Sequence, residues 1–168
     1  MRLKKDPVLY KEATKKILAQ IDAMRLEPEK RDRAIHLVQL FRESFTNSEI
    51  KKATFLANSK DNIWDLGYDS AGFCRVSSIS FMVAMDWHDW QLMAVDKDRG
   101  EWYYSHHYLR HKPSGKILDL TYDQFLQPVP YKAGHSVDMG AFLKDETSVF
   151  ANSIGLDLKK LLIETKGK

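Results

Sequence analysis

The single cysteine of the chain, Cys74, is followed by a histidine and an aspartate in an order that suits covalent catalysis. Cys74 opens a short apolar segment, residues 74–85, whose pattern predicts a helix buried on most sides. A thiol at the start of a helix lies at the positive end of the helix dipole, which favours the nucleophilic thiolate. His106 could then hold the thiolate as an ion pair and protonate a leaving amine, while Asp119 could fix the tautomer of the ring. These residues predict a catalytic triad.

His107 is the alternative base, because it follows His106 directly in the same predicted strand. Successive side chains of a strand point to opposite faces, so we expect only one of the two rings to meet the thiol, and we favour His106. Asp119 lies between two leucines in the next predicted strand, where a buried carboxylate is costly unless it is paired. Cys74 could instead be a small buried hydrophobic residue without a chemical role, as many lone cysteines are.

Six histidines raise the alternative of a metal site. Two candidate ligands, His107 and His111, would lie about 13 Å apart along one strand, which is too far for a single ion. The chain has no His-Glu-x-x-His helix, and one cysteine cannot form an internal disulfide or a zinc site of several thiolates. We therefore expect no metal and no cofactor. The set considered as metal ligands is His88, His106, His107, His111 and Asp119.

The first third of the chain is predicted to be helical. Apolar residues recur at three- and four-residue steps over residues 8–24, and again from Pro28 to about residue 45. Thr46 and Glu49 have the spacing of a capping box, so a third helix is expected to begin at Thr46. Residues 58–72 are rich in Ser, Asn, Asp and Gly, which is typical of a loop, and their aromatic residues indicate that the loop is ordered.

Aromatic and β-branched residues predict three strands, at residues 91–95, 101–110 and 116–120. The tight turn at residues 113–115 would pair residues 105–109 with residues 117–121 in antiparallel fashion and bring His106 beside Asp119. A proline-containing loop and a helix at residues 155–164 follow.

These elements predict one α+β domain over residues 1–168, in which helices pack on a small antiparallel sheet and the central helix carries Cys74. Residues 1–58 would form a helical part, residues 72–125 the catalytic core, and residues 126–168 a loop and a helix.

The composition excludes several classes of protein. With 168 residues, 43% of them hydrophobic and 29% charged, the chain is typical of a globular protein and not of a disordered one. Its longest apolar run is far shorter than the roughly 20 residues that span a bilayer, and the N-terminus lacks the apolar stretch of a signal peptide, so we expect a cytoplasmic protein. Acidic residues are in excess over residues 61–125, which hold the candidate triad. We therefore expect a protein or peptide-like substrate and no nucleic acid or membrane partner.

Two stretches of the sequence resemble a known signature. Residues 105–110, Ser-His-His-Tyr-Leu-Arg, and residues 115–125, Gly-Lys-Ile-Leu-Asp-Leu-Thr-Tyr-Asp-Gln-Phe, look like a His-x-x-Leu, turn, Asp-Leu-Thr-x-x-Gln-Phe pattern. This pattern occurs in small bacterial and phage proteins that are similar to papain-like and transglutaminase-like cysteine enzymes. The segment Gly72-Phe73-Cys74, followed by Ser77, Ser78 and Phe81, resembles the Gly-x-Cys opening of the central helix in that superfamily.

The resemblance implies a papain-like or transglutaminase-like fold with Cys74 as nucleophile, His106 as base and Asp119 as the orienting carboxylate. Backbone N–H groups at the start of the Cys74 helix would form part of an oxyanion hole. Where the superfamily often has Gln or Asn as a second oxyanion donor, this sequence has Tyr68, Asp69 and Ser70, with Asn62 further upstream. Three residues of the signature are predicted to have structural roles. Thr121 and Gln124 would hydrogen-bond the turn after the third strand, and Phe125 would fill the core.

The expected function is that of a cysteine hydrolase, a peptidase, amidase or deamidase, that attacks an amide or isopeptide-type bond through an acyl-enzyme. If an amine outcompetes water at the thioester, the same triad would act as a transglutaminase-like acyl transferase. A third possibility is a non-catalytic protein-binding module that retains the fold and binds an acidic partner through its basic helices.

Overall fold

The computed structural model describes residues 6–57, 72–95, 105–125, 127–139 and 145–166. In this part of the chain, helices pack on a small four-stranded antiparallel sheet, so the predicted α+β class is confirmed. The helices are α1 (Pro7–Ala23), α2 (Pro28–Phe45), α3 (Ser48–Ala57), α4 (Cys74–Ala84), α5 (Asp145–Ser153) and α6 (Leu158–Lys166). The strands are β1 (Trp90–Val95), β2 (His106–His111), β3 (Ile117–Leu118) and β4 (His135–Ser136).

The helices α1 and α2 form where the apolar spacing predicts them. Asp6 caps α1 by accepting hydrogen bonds from the backbone N–H groups of Val8 and Leu9 at 2.9 and 3.2 Å. A proline occupies the first turn of each helix, where its missing N–H is no loss. The buried apolar residues are Ala13, Ile17 and Ile21 on α1 and Ala34, Leu37, Val38, Phe41 and Phe45 on α2.

The prediction of a capping box at Thr46 is wrong. Thr46 ends α2, and its hydroxyl donates a hydrogen bond to the carbonyl of Glu43 at 2.7 Å. Asn47 caps α3 instead, because its side-chain oxygen accepts hydrogen bonds from the backbone N–H groups of Glu49 and Ile50 at 3.0 and 3.1 Å. Asparagine is at least as good an N-cap as threonine, so α3 begins at Ser48.

The helix α4 is buried on nearly all sides, as its composition predicts. All nine residues that follow Arg75 in this helix, residues 76–84, are buried. It packs against β1 and β2 on the face of the sheet that carries Leu92 and Leu109. Three serines, Ser77, Ser78 and Ser80, lie among the large apolar residues of α4, and small side chains of this kind allow close packing on a sheet.

The sheet has the strand order β3-β2-β1-β4 and is antiparallel throughout. β1 and β2 form the central ladder, in which Val95 lies opposite His106. In the next pair Leu118 lies opposite Leu109, so the predicted antiparallel hairpin is confirmed with a shorter third strand. β4 was not predicted, since two exposed residues show no alternation of polarity. Residues 101–104 of the second predicted strand and residues 58–71 of the predicted loop lie outside the described residues.

Two helices, not one, follow the sheet. The helix α5 was missed by the sequence analysis, although its Phe150 is fully buried in the core. The helix α6 begins at Leu158, three residues later than predicted, because Gly155 has a φ of +81° that interrupts the helical conformation. Asp157 then caps α6 by accepting a hydrogen bond from the N–H of Lys160 at 3.1 Å. Among the described helices, none combines the length and apolar character needed to cross a membrane.

Both faces of the sheet are covered. Trp90, Leu92 and Leu109 face the main core, which the helices complete. Met93 and Tyr108 face the opposite way and pack in a smaller apolar cluster with Val95, Ile117, Val129 and Tyr131. His106 therefore points to the face with the smaller cluster, and His107 points to the face with the main core.

A buried arginine joins the N-terminal helices to the turn after β3. Arg42 of α2 is only 2% exposed, and its guanidinium donates hydrogen bonds to both carboxylate oxygens of Asp123 at 2.7 and 2.9 Å. The same group donates to the backbone carbonyls of Leu120 at 3.2 Å and Tyr10 at 3.1 Å. Because a buried guanidinium is tolerated only when its N–H groups are satisfied, these contacts fix the turn relative to α1 and α2.

Replacement of Arg42 by methionine should destabilise the protein by about 3–5 kcal/mol, because Asp123 and the two carbonyl oxygens lose their buried donor. Arg31→Met is the matched control, since Arg31 lies on the same helix, is 45% exposed and pairs with Asp22 on the surface. The control should cost less than about 1 kcal/mol. Urea unfolding followed by circular dichroism measures both losses, and equal losses would contradict the role assigned to Arg42.

Candidate active site

Cys74 is the first residue of α4, and aromatic rings from three helices hold the residue before it. The ring of Phe73 is fully buried and stacks on Phe45 of α2, with ring centroids 4.6 Å apart. It also packs against Phe55 of α3 and Phe150 of α5, with centroids 5.1 and 5.5 Å away. These contacts fix the start of α4 and therefore the position of the thiol.

An ion pair fixes the next residue of α4. The guanidinium of Arg75 pairs with the carboxylate of Glu146 near the beginning of α5, and the Glu146 side chain is buried. The pair therefore connects the first turn of α4 to α5. Sequence analysis missed this contact because it joins two residues that are far apart in the chain and depends on α5, which it did not predict.

His106 and Asp119 form a buried hydrogen-bonded pair. The Nε2 atom of His106 lies 2.7 Å from Oδ2 of Asp119, and neither side chain is exposed to solvent. The pairing of Leu118 with Leu109 brings Asp119, the residue after β3, to the face that His106 shares with Tyr108. A carboxylate only accepts hydrogen bonds, so Nε2 carries a hydrogen and donates it. Nδ1 is consequently the ring nitrogen that remains for the thiol.

Two further donors hold the carboxylate of Asp119. The backbone N–H of Thr121 donates to Oδ1 at 3.1 Å, and the hydroxyl of Tyr131 donates to Oδ2 at 2.8 Å. Burial and the charge of Asp119 raise the pKa of Tyr131 well above its ordinary value, so the phenol keeps its proton. The backbone N–H of Asp119 in turn donates to the side chain of Gln20 on α1 at 3.1 Å. Asp119 thus has the partners that its buried position requires.

The half-buried thiol of Cys74 is hydrogen-bonded to the imidazoles of both His106 and His107. Burial opposes ionisation of the thiol, but the hydrogen bonds and charges of the two rings outweigh it and lower the pKa of Cys74 to about 5. Burial likewise opposes the charged form of His106, yet Asp119 and the bond to Cys74 raise the pKa of His106 to about 10. Between these two values the pair is a thiolate and an imidazolium.

The expectation that only one histidine could meet the thiol is wrong. His107 does lie on the opposite face from His106, as strand alternation requires, and this is the face on which α4 packs. His106 and His107 are the first two residues of β2, and both rings bond the thiol, so the start of α4 lies at this end of the sheet. At the end of the sheet, rings from both faces can reach Cys74. His106 differs from His107 in that it is the ring bonded to Asp119.

The last two residues of the Asp-Leu-Thr-x-x-Gln-Phe stretch lie against the ring of His106. The side-chain amide of Gln124 donates to the hydroxyl of Thr121 at 2.9 Å, as predicted for the turn, but its Nε2 also lies 3.4 Å from Nδ1 of His106. Phe125 meets the same ring edge-on, with centroids 4.7 Å apart. The prediction that Phe125 fills the core is wrong, because it is half-buried and packs on His106 instead.

The remaining candidate residues either lie outside the described residues or are bonded elsewhere. Asn62, Tyr68, Asp69 and Ser70, which were considered as sources of a second oxyanion donor, lie outside the described residues. His88 is bonded to Asp86 at 2.6 Å and His111 to Ser114 at 2.7 Å. In the ranges that the structure describes, no three His, Cys, Asp or Glu side chains are grouped so that they could hold a metal ion.

The backbone of Gly134 lies close to the side chain of Tyr108, and this contact positions the loop that carries Tyr131. A Cβ atom at Gly134 would overlap the hydroxyl of Tyr108, a fully buried residue whose ring packs on Tyr131 with centroids 4.9 Å apart. Gly134→Ala should therefore destabilise the protein by about 1–3 kcal/mol.

Tyr108→Phe removes the overlapping oxygen and provides the control for Gly134→Ala. In the Tyr108→Phe background, Gly134→Ala should cost clearly less than it does in the parent protein, because the two sites are in contact. Urea unfolding of the four proteins in this double-mutant cycle measures the difference. Additive losses would show that Gly134 is not required for the approach of Tyr108.

Comparison of the chain with protein-family models, with curated proteins and with solved structures finds no match. The chemical interpretation of the site therefore depends on the geometry described above: a thiol at a helix start, two imidazoles and a buried carboxylate.

Proposed function

We propose that the protein is a cysteine hydrolase that attacks amide or isopeptide-type bonds and forms an acyl-enzyme on Cys74. The observation that carries this proposal is the chain of hydrogen bonds from the half-buried Cys74 to the buried His106 and from His106 to the buried Asp119. A cysteine needs no such arrangement to fill space in a core, and two buried ionisable partners would be costly there. A nucleophile, in contrast, requires a base and a group that orients the base.

In the proposed mechanism, the Cys74 thiolate attacks the carbonyl carbon of the substrate, and the electrons of the C=O bond move onto oxygen. The backbone N–H groups in the first turn of α4, which have no acceptors within the helix, stabilise the resulting oxyanion. The His106 imidazolium then protonates the leaving amine from Nδ1, and the C–N bond breaks. A water molecule, deprotonated by the now neutral His106, hydrolyses the thioester.

The two histidines have different roles in this mechanism. His106 exchanges protons with the reacting groups, because Asp119 accepts from its Nε2 and thereby stabilises the imidazolium and fixes the ring. His107 contributes a hydrogen bond and charge that favour the thiolate, whereas the buried carboxylate of Asp119 bonds the ring of His106. His106 is the base, and His107 is a supporting residue.

We further propose a papain-like or transglutaminase-like arrangement for this fold. The helix α4 with Cys74 at its start packs on an antiparallel sheet, and two neighbouring strand ends supply the histidine and the aspartate. If an amine replaces water as the acceptor, the same steps give acyl transfer, so a transferase activity belongs to the same proposal. The proposal places the protein in the cytoplasm with a protein or peptide-like substrate, which carries bonds of the amide type.

The pH dependence of Cys74 alkylation by iodoacetamide tests the proposal without a known substrate. Because the pKa of Cys74 is lowered to about 5, the parent protein should react at a nearly constant rate from pH 6 to pH 8 and lose reactivity as the pH falls through about 5. His106→Ala should move the inflection toward the ordinary cysteine value of about 8.5. His107→Ala should move it less, since His106 and Asp119 remain.

His36→Ala is the matched control, because His36 is exposed on α2 and the chain has no second cysteine that could react. This variant should reproduce the parent profile. An inflection near pH 8.5 in the parent, or the same inflection in all four proteins, would remove the covalent mechanism and favour a protein-binding module.

Asp119→Asn tests the role of the carboxylate. The charge of Asp119 raises the pKa of His106, so its removal should lower that pKa from about 10 toward the ordinary value of about 6.5. The imidazolium would then be lost above neutral pH, where the parent protein retains it. Nuclear magnetic resonance titration of the histidine ring carbons measures the shift, with Asp32→Asn, at an exposed position on α2, as the control. An unchanged His106 titration would contradict the assigned role.

A further inference from the structure

The side-chain amide of Gln124 is held beside the ring of His106 by contacts at both of its ends. Its Oε1 accepts a hydrogen bond from the backbone N–H of Gly72 at 3.4 Å. Its Nε2 donates to the hydroxyl of the fully buried Thr121 at 2.9 Å and lies 3.4 Å from Nδ1 of His106. The amide thus spans from the residue two positions before Cys74 to the imidazole.

The amide and the thiol meet at the same ring nitrogen. Nε2 of His106 donates to Asp119, so Nδ1 is the atom that bonds Cys74, and it is also the atom that the Gln124 amide faces. The contact of 3.4 Å is long for a hydrogen bond and therefore weak. One N–H of the amide is consequently available to a better acceptor that forms close to Nδ1.

The ion pair of Cys74 and His106 makes this N–H available. In the thiolate–imidazolium pair Nδ1 already carries the proton of the thiol, so it is a donor and cannot accept from Gln124. The amide N–H that faces the ring can therefore bond a negative charge that develops next to it. In the tetrahedral intermediate this charge is on the oxygen attached to the carbon that Sγ has attacked.

We propose that the Nε2–H of Gln124 is a second oxyanion donor, which acts together with the backbone N–H of Cys74. This role rests on the proposed function and adds a catalytic residue to it. Gln124 reaches the site through the turn that follows β3, as the last residue of the 3-10 helix Tyr122–Gln124.

The surroundings of Gln124 hold its amide in place before the reaction. Its backbone N–H donates to the carbonyl of Thr121 at 3.1 Å, and the neighbouring Asp123 is bonded twice by the buried Arg42. Donors that are fixed in this way need not reorient when the charge appears. For this reason oxyanion donors contribute strongly to the rate.

Two reagents separate oxyanion stabilisation from reactivity of the thiolate. Iodoacetamide alkylates sulfur by displacement of iodide, so no oxyanion forms. p-Nitrophenyl acetate is attacked at its carbonyl carbon: the C–S bond forms, the oxyanion appears, and its collapse expels p-nitrophenolate and leaves an acetyl thioester. The release of p-nitrophenolate under single-turnover conditions measures this acylation step.

Gln124→Ala and Gln124→Met should lower the rate constant of acylation by about tenfold or more, because one fixed donor is removed. Their alkylation by iodoacetamide at pH 7 should stay within about twofold of the parent, since neither change removes His106 or Asp119. The methionine variant keeps a side chain of similar length, and thermal unfolding verifies that both variants fold. Gln127→Ala, at an exposed glutamine three residues further on, is the matched control and should change neither rate.

The remaining outcomes identify which part of the proposal fails. Equal acylation in the parent and in both Gln124 variants would overturn the oxyanion role and leave the cysteine mechanism intact. Parallel losses of acylation and alkylation would also overturn it, because they would show that Gln124 acts on the thiolate through His106. A parent protein that reacts with neither reagent faster than a free thiol would overturn the proposed function itself.

Discussion

The buried hydrogen bond between His106 and Asp119 is the interaction on which the rest of the structure depends. Both side chains are excluded from solvent, and a charged pair in such a place is tolerated only when the remaining lone pairs have donors. The hydroxyl of Tyr131 is one such donor, and it reaches Asp119 because Gly134 lets the ring of Tyr108 pack closely beneath it. The loop before β4 is therefore part of the site, although it carries no residue with obvious chemistry.

The helices fix the position of the thiol in the site. Phe73 is fixed by aromatic rings from α2, α3 and α5, so the helix start that presents Cys74 is set by core packing. Arg42 connects α2 to the turn that carries Gln124, and Gln20 of α1 holds the backbone of Asp119. The thiol side of the site is thus held by α2, α3 and α5, and the imidazole side by α1 and α2, so α2 supports both. Such rigid support is what a proton-sharing pair requires, because small displacements would break it.

Features that depend on local patterns in the sequence could be predicted, whereas features that depend on contacts between distant residues could not. Apolar periodicity is local, and it predicted α1, α2 and α4; the tight turn after β2 likewise predicted the hairpin. The position of Asp119 between two leucines indicated that it needed a buried partner. The cap at Asn47, by contrast, depended on which of two adjacent polar residues completed the preceding helix. The roles of Tyr131 and Phe125 depend on contacts with distant residues, which no local pattern reveals.

The charges of the site explain why neutral donors surround it. With Cys74 ionised and His106 protonated, the proposed triad carries two negative charges and one positive charge, within a segment of the chain that is itself rich in acidic residues. A further negative charge on a reacting oxygen would be unfavourable in such a place unless dipoles compensated for it. The start of α4, the hydroxyl of Tyr131, the N–H of Thr121 and the amide of Gln124 provide donors without adding a charge that must be neutralised in turn. A lysine or arginine in place of Gln124 would stabilise the oxyanion as well, but it would also stabilise the thiolate before attack and so reduce its nucleophilicity.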